Sequence, residues 1–111
     1  MPPVMEISPA EAQARLNDSN KTLLIDVREP QEFALARLAV GELIPMSLIP
    51  RELVRLKELA AERDLLVLCH HGVRSLLVVS WLREQGLENC YSVAGGIDRW
   101  SREVDPAVRL Y

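Results

Sequence analysis

Two short apolar runs constrain the fold of this 111-residue chain more than any other feature. Thr22–Val27 and Leu65–Cys69 are dominated by Leu, Ile and Val and lack strict polar alternation. Strands with this pattern are buried on both faces, as the central strands of parallel sheets are. A chain of this length is about one ordinary domain with a core of its own. We therefore expect residues 1–111 to form a single domain around a buried sheet.

Helical patterns separate these runs. Ser8-Pro9-Ala10-Glu11 combines a capping serine, a proline at the first helical position and a glutamate at the third, which predicts a helix to about Leu16. Further helices are predicted over 30–35, 50–60, 75–85 and 97–103, and further strands over 42–44 and 90–93. The largely apolar helix over 75–85 is expected to be buried and to end at a left-handed Gly86. The alternation predicts an α/β fold with a mainly parallel central sheet and helices on both faces.

Composition argues against several classes of function. A net charge of −3 gives no sign of a nucleic-acid surface, so no nucleic acid partner is expected. Met1–Glu6 lacks the basic and apolar regions of a signal peptide, and no window approaches a membrane span, so we expect a cytoplasmic protein without membrane contact. Cys69 and Cys90 are too few for a disulfide framework and are expected to be reduced. No apolar patch motif is evident, and a monomer is the default expectation.

Cys69 stands where a buried strand ends and a helix follows. A sulfur in such a position faces converging backbone N–H groups and the positive end of a helix dipole, which favour thiolate over thiol. Because the thiolate is the reactive form, the position predicts a nucleophile, with Arg74 as a nearby cation. A small buried hydrophobe is the alternative for a free cysteine.

Three segments, in this order, resemble the rhodanese (sulfurtransferase) domain family. They are Asp26-Val27-Arg28-Glu29-Pro30-Gln31-Glu32-Phe33, Cys69-His70-His71-Gly72-Val73-Arg74-Ser75 and Gly95-Gly96-Ile97-Asp98-Arg99-Trp100. The resemblance covers nearly the whole chain, so we identify it as similar to single-domain members. The loop and the ending Val104–Tyr111 also resemble rhodanese domains fused to activating enzymes of cofactor biosynthesis. One departure is Ala36-Arg37-Leu38-Ala39-Val40-Gly41, where many members have Gly-His-Ile and Pro-Gly-Ala; it bears on local packing and access rather than on chemistry.

The resemblance implies a rhodanese-like fold and covalent catalysis without a cofactor or metal. Cys69 would take sulfane sulfur from a donor such as thiosulfate, release sulfite, and pass the sulfur to a thiol, cyanide or a sulfur-carrier protein. A persulfide protein and a cysteine desulfurase are compatible donors, and molybdopterin or thiamine pathways are compatible destinations. The segment expected to bind substrate is His70, His71, Gly72, Val73, Arg74 and Ser75, with the amides of residues 70–74 around the outer sulfur.

Several side chains near Cys69 have two interpretations. His70 and His71 are either a base for the thiol or part of the pocket rim or docking surface. Arg74 attracts an anionic donor or only begins the helix, and Ser75 caps the helix and can also bond the thiolate. Two further residues, Asp26 and Arg28, are expected to support the loop from a neighbouring strand or to cap the following turn.

A metal site and a second reactive thiol receive less support. The spacing of Cys69, His70, His71 and Cys90 matches no recurrent zinc pattern, so no metal is expected. Cys90 is interpreted as a core residue, with a resolving thiol as the alternative. Gly95-Gly96 is expected to serve backbone geometry.

Two other functions remain as alternatives to sulfur transfer. Phosphatases and arsenate reductases of related architecture place five residues between cysteine and arginine, whereas four, His70 to Val73, separate Cys69 from Arg74. A shorter loop suits one sulfur atom better than a tetrahedral oxyanion. Non-catalytic rhodanese folds that act as interaction modules typically lack the cysteine, which this chain keeps. The enzyme is therefore the favoured hypothesis.

Overall fold

The computed structural model describes residues 4–18 and 20–111 and contains one five-stranded sheet. The strands are β1 (Glu6–Ile7), β2 (Thr22–Asp26), β3 (Gly41–Leu43), β4 (Asp64–Leu68) and β5 (Cys90–Val93). The helices are α1 (Pro9–Leu16), α2 (Pro30–Leu35), α3 (Leu53–Ala60), α4 (Val73–Glu84) and α5 (Gly96–Glu103). The strand order is β1-β5-β4-β2-β3 and every pair is parallel, which confirms the predicted α/β class.

Each face of the sheet carries its own buried apolar cluster. Ile25 and Val67 of β2 and β4 belong to one cluster, whereas their neighbours Leu24 and Leu66 belong to the other, as the alternation of side chains along a strand requires. Helices α3 and α4 contribute buried residues to the first cluster, and α1 and α5 contribute to the second. Helices on both faces are therefore confirmed, and β2 and β4 are buried between them.

The boundaries of several elements differ from the prediction. Strand β1 was not predicted from the sequence. It is only two residues long and is held against β5 by the hydrogen bond from Ser92 N–H to the Met5 carbonyl (2.7 Å). The helix predicted over 50–60 begins as a 3₁₀ turn, Pro50–Glu52, and becomes α-helical only at α3. Strand β3 lies one residue earlier than predicted. None of the helices in the described ranges is long and apolar enough to cross a bilayer.

Helix α4 differs from the prediction in both its start and its burial. It begins at Val73 rather than Ser75, with Gly72 as its N-cap at a φ of 99°. Val73 and Leu77 are 70% and 61% exposed, so the helix is half-buried and not fully buried as expected. Its end agrees with the prediction, since Gly86 has a left-handed φ of 99°.

Candidate active site

Cys69 directly follows β4, which lies between β2 and β5 in the middle of the sheet. The loop that begins there is tied to the first turn of α5. Ile97 N–H donates to the Cys69 carbonyl at 2.9 Å, and Asp98 N–H donates to the His70 carbonyl at 3.1 Å. Gly96, with a φ of 62°, permits this approach, because a Cβ there would lie 2.4 Å from the His70 oxygen. Glycine therefore serves backbone geometry at this position, as predicted.

The Cys69 sulfur is surrounded by hydrogen-bond donors. Gly72 N–H and Ser75 N–H donate to Sγ at 3.0 and 3.3 Å, and the thiol lies 3.3 Å from Ser75 Oγ. These groups belong to the N-terminus of α4, where backbone N–H groups point out of the helix. The residue is 1% exposed, so the sulfur sits at the base of the loop. This geometry agrees with the expected cradle, while the role of Cys69 as a nucleophile stays a prediction.

Three further N–H groups of the loop are not used inside the protein. Within residues 4–18 and 20–111, those of His71, Val73 and Arg74 donate to no protein acceptor. They lie in the turn that enters α4, the part of a helix that binds anions through its backbone. These three N–H groups are therefore available to bind a group next to the Cys69 sulfur.

Ser75 does not cap α4, which corrects one of its two expected roles. It is the third residue of the helix, and Gly72 occupies the cap position. Its buried hydroxyl lies between the Cys69 sulfur and Ser92 Oγ, which is 2.7 Å away. Ser92 was not singled out from the sequence, although a serine in an otherwise apolar buried strand was a visible signal.

Arg74 is paired with Glu32 of α2. Its Nη1 and Nη2 donate to the two carboxylate oxygens at 2.7 and 2.9 Å, which is a bidentate arrangement. The hydrogen bond from Arg74 holds the pKa of Glu32 down to about 2. Tyr111 also donates its hydroxyl to Glu32 at 2.9 Å. Arg74 is therefore a partly buried cation in an ion pair. Neither interpretation of Arg74 from the sequence included Glu32 as its partner.

Asp26 and Arg28 form a fully buried ion pair at the end of β2. Arg28 Nη2 and Nε donate to the Asp26 carboxylate at 2.7 and 2.9 Å, and the two side chains are 0% and 1% exposed. Arg28 also donates to the Ala36 carbonyl at 2.6 Å and to the Tyr111 hydroxyl at 2.7 Å. In the described chain neither residue hydrogen-bonds the 69–75 loop. Among the described contacts, Arg28 is linked to the loop through Tyr111, which stacks on His70, and through Glu32, which pairs with Arg74.

Three aromatic rings are stacked at the rim of the loop. The His70 ring lies between His71 and Tyr111, with centroid separations of 3.8 and 3.9 Å. Burial, and next the neighbouring His71, lower the pKa of His70. Neither imidazole hydrogen-bonds the Cys69 sulfur among the described contacts, so the geometry favours the rim interpretation.

Comparison with known proteins places this arrangement in a family. The Rhodanese-like domain family matches residues 8–103. The chain belongs to the rhodanese-like domain family. A sulfurtransferase of Allochromatium vinosum is 34% identical to it over 95% of each chain. The crystal structure of a rhodanese-related protein from Thermoplasma volcanium is 32% identical, with a TM-score of 0.78, and covers 96% of this chain and 99% of its own. At the level of the family, this is a sulfurtransferase fold with sulfurtransferase relatives.

Other rhodanese-like relatives are much longer than this chain. An Arabidopsis thaliana protein called Rhodanese-like/PpiC domain-containing protein 12, chloroplastic, is 34% identical over 98% of this chain, which spans 38% of that protein. The Zea mays adenylyltransferase and sulfurtransferase MOCS3-2 is 32% identical over the full chain, which spans 24% of it. The predicted similarity to rhodanese domains that are part of longer proteins is thereby confirmed.

The segment that departs from the common rhodanese pattern lies away from Cys69. Ala36 and Leu38 are buried in the cluster with α1 and α5. Residues 36–40 line an open surface cavity of about 780 Å³ together with Phe33 and Trp100, and no residue of the 69–75 loop lines it. The departure thus concerns local packing on another part of the surface.

Cys90 lies in the core. It is 0% exposed, its sulfur lies 3.2 Å from the Leu87 carbonyl, and both cysteines are free thiols. Burial raises the pKa of the Cys90 thiol, which disfavours its reactive form. The core interpretation therefore fits better than a resolving thiol.

Proposed function

We propose that this chain is a sulfurtransferase that carries sulfane sulfur as a persulfide on Cys69. One observation supports it most directly: two backbone N–H groups and the Ser75 hydroxyl converge on Sγ within 3.0–3.3 Å. Hydrogen bonds to a charged sulfur are stronger than those to a neutral one. The arrangement is therefore suited to hold negative charge on this sulfur when it attacks and when it is released.

The first half-reaction would transfer one sulfur atom from thiosulfate. The Cys69 thiolate attacks the outer, sulfane sulfur, the sulfur–sulfur bond of thiosulfate breaks, and sulfite leaves with the bonding electron pair. The terminal persulfide sulfur then carries the negative charge. The N–H groups of His71, Val73 and Arg74, which donate to no acceptor in the described chain, are suited to bind this sulfur.

The second half-reaction would return the sulfur to an acceptor. A thiolate or cyanide attacks the terminal sulfur of the persulfide, and the Cys69 thiolate leaves with the electron pair of the broken bond. Gly72 and Ser75 then stabilise the charge that reappears on Sγ. Because the donor product leaves before the acceptor reacts, ping-pong kinetics are expected.

Ser75 would adjust to the charge of the sulfur. Its hydroxyl accepts from the thiol in the protonated state and donates to the thiolate in the ionised state. Ser92, 2.7 Å from Ser75 Oγ, can donate or accept in turn and keeps the buried hydroxyl satisfied in both states. We assign Ser75 to the reacting group and Ser92 to its orientation.

The remaining residues of the loop would bind substrate or position those that do. His70, His71 and Gly72 form the rim and turn of the loop, and Val73 exposes an apolar side chain beside it. Arg74 contributes a fixed cation, although its pairing with Glu32 reduces its attraction for an anionic donor. Asp26 and Arg28 support the loop from a distance.

The acceptor we propose is a thiol, including that of a sulfur-carrier protein. Support comes from relatives that are named as both adenylyltransferase and sulfurtransferase, although this chain spans only about a quarter of their length. Val73 and Leu77 form an exposed apolar surface beside the loop, which suits contact with another protein. We further propose that residues 1–111 act as one unit in a reducing compartment, the cytoplasm, since both cysteines are free.

Intact-mass spectrometry tests the proposal. The reduced protein is measured before and after exposure to thiosulfate and, separately, to glutathione persulfide, a donor that bypasses thiosulfate recognition. We expect a gain of one sulfur atom that cyanide removes. Cys69→Ser should abolish the gain, and Cys90→Ser, which removes the other thiol, should retain it.

The same experiment separates the enzyme from the alternative function. If only glutathione persulfide adds a sulfur atom, the proposed persulfide on Cys69 stands and thiosulfate is not a donor. No gain from either donor would contradict the proposal and favour a non-catalytic interaction module.

A further inference from the structure

We infer that His70, His71 and Asp98 form a binding site for a divalent transition-metal ion, Zn²⁺ in the first instance, at the rim of the Cys69 loop. One ligand atom from each of the three side chains lies within 4.8 Å of the others. Two imidazoles and one carboxylate are donors that Zn²⁺ accepts. Because the His70 and His71 rings are stacked 3.8 Å apart, the exposed His71 side chain must turn out of the stack for both rings to bind the same ion.

The backbone holds these residues together although they come from different elements. Asp98 lies in the first turn of α5, and its N–H donates to the His70 carbonyl at 3.1 Å. The adjacent bond from Ile97 N–H to the Cys69 carbonyl fixes the same junction. No metal was expected from the sequence, because the spacing of the two histidines with Cys69 and Cys90 matches no zinc pattern. The fold instead brings a carboxylate to them.

His70 provides a second and independent observation. Its Nε2 atom is buried and has no hydrogen-bond partner in the described part of the chain. A buried polar atom without a partner is costly and uncommon in folded proteins. Its ring is stacked on Tyr111 at a centroid separation of 3.9 Å, a contact that can persist when the ion binds. A bound cation would satisfy this nitrogen, and we assign it as the His70 ligand atom.

The present partner of Asp98 does not oppose the ion strongly. Its carboxylate accepts from Arg102 Nε at 3.1 Å, in a pair whose arginine side chain is 62% exposed. Exposed pairs of this kind contribute little to stability and exchange readily. Three protein ligands leave the fourth position of a tetrahedral ion open to water or an incoming group. The inference does not rest on the proposed sulfur transfer.

Calorimetric titration with Zn²⁺ tests the site. Cys69→Ser is the parent, because a thiolate would itself bind zinc. His71→Ala or Asp98→Asn, added to this parent, should each weaken binding by about tenfold or more, since each removes one of three ligands. Glu103→Gln is the matched control: it removes a carboxylate that pairs with an arginine one turn back on the same helix, and it should leave the affinity unchanged.

Histidine NMR gives a readout that does not depend on the variants folding alike. The chain has two histidines, so the ring signals of labelled protein are few. Zn²⁺ should shift the signals of both rings together. Absence of binding in the Cys69→Ser parent would overturn the inference. So would equal affinity in all variants, or a shift of one ring only.

Discussion

At the scale of single residues, the chemistry proposed for this chain depends on the groups around one sulfur atom. Ser75 contributes two of the three hydrogen bonds described at the Cys69 sulfur, one from its N–H and one through its hydroxyl. Only the second can be removed by substitution without changing the backbone. Ser75 is therefore the residue at which the role of the donors is most directly tested.

Ser75→Ala should slow persulfide formation by about ten- to a hundredfold, because a hydrogen bond to a charged group contributes about 1.5–3 kcal/mol. The substitution also leaves the Ser92 hydroxyl without its present partner, which should lower stability by about 1–3 kcal/mol. Ser101→Ala is the control, since that buried hydroxyl bonds the Val108 carbonyl far along the chain from the loop. Stopped-flow mixing with the sulfur donor measures the rate, and equal rates in the two variants would contradict the assignment of Ser75.

Glu32 should make stability depend on pH. Its pKa is about 2 in the folded protein, against an ordinary 4.5, chiefly because Arg74 bonds the carboxylate, with smaller contributions from Glu29 N–H and Tyr111. A lowered folded pKa stabilises the protein above the unfolded value and loses this contribution as pH falls from about 4.5 toward 2. Urea denaturation from pH 6 to 3 should show a loss of about 1–3 kcal/mol that Glu32→Gln lacks. Parallel curves for the two proteins would rule out the Arg74 pair as the cause.

At the scale of elements, the junction between the loop and α5 depends on one glycine. Gly96 combines a φ of 62° with a Cβ position 2.4 Å from the His70 carbonyl oxygen. Gly86 also has a positive φ, 99°, but a Cβ there would meet nothing within 4 Å. A substitution at Gly86 therefore introduces backbone strain alone, whereas one at Gly96 introduces backbone strain and a steric clash.

Gly96→Ala should lower the free energy of unfolding by about 3 kcal/mol or more, because strain and a clash with rigid backbone act together. Gly86→Ala should cost about 1–2 kcal/mol, which is the strain alone. Chemical denaturation measures both. Only Gly96→Ala should also reduce the rate of sulfur transfer, since it displaces the carbonyl groups of Cys69 and His70. Similar costs at the two glycines would show that the loop and α5 are not closely packed.

Many of the elements could be predicted from the sequence. The apolar runs predict the buried strands β2 and β4. Ser8 predicts the start of α1, and its Oγ accepts from Glu11 N–H at 3.1 Å as the capping motif requires. Strand β1 is not readable, since two residues carry no pattern and only pairing with β5 defines them. The N-cap of α4 was predicted at Ser75 and lies at Gly72. The apolar residues of α4 do not mark where its first turn begins.

At the scale of the whole molecule, Arg28 connects parts of the chain that are distant in sequence. It joins β2 through Asp26, the end of α2 through the Ala36 carbonyl, and the end of the chain through Tyr111. Tyr111 in turn contacts Glu32 and stacks on His70. These long-range contacts are the part of the site that sequence reasoning missed, because the separations, such as 83 residues from Arg28 to Tyr111, carry no local pattern.

Arg28→Leu should destabilise the protein by about 3–5 kcal/mol, because it leaves the buried Asp26 carboxylate without a counter-charge. Arg55→Leu is the control, since Arg55 pairs with Glu42 and Glu52 at a site where its side chain is 42% exposed. That change should cost less than about 1 kcal/mol. Thermal and chemical denaturation compare the two. Equal costs would mean that the Asp26–Arg28 pair does not hold the molecule together.

The proposed sulfur transfer passes through one intermediate, a persulfide on Cys69. The most direct test is a single turnover: the protein is loaded with thiosulfate or glutathione persulfide, the excess donor is removed, and cyanide is added. We expect one thiocyanate per chain and none from Cys69→Ser. Formation of thiocyanate only while donor and cyanide are present together would contradict it, because no sulfur would then be stored on the protein.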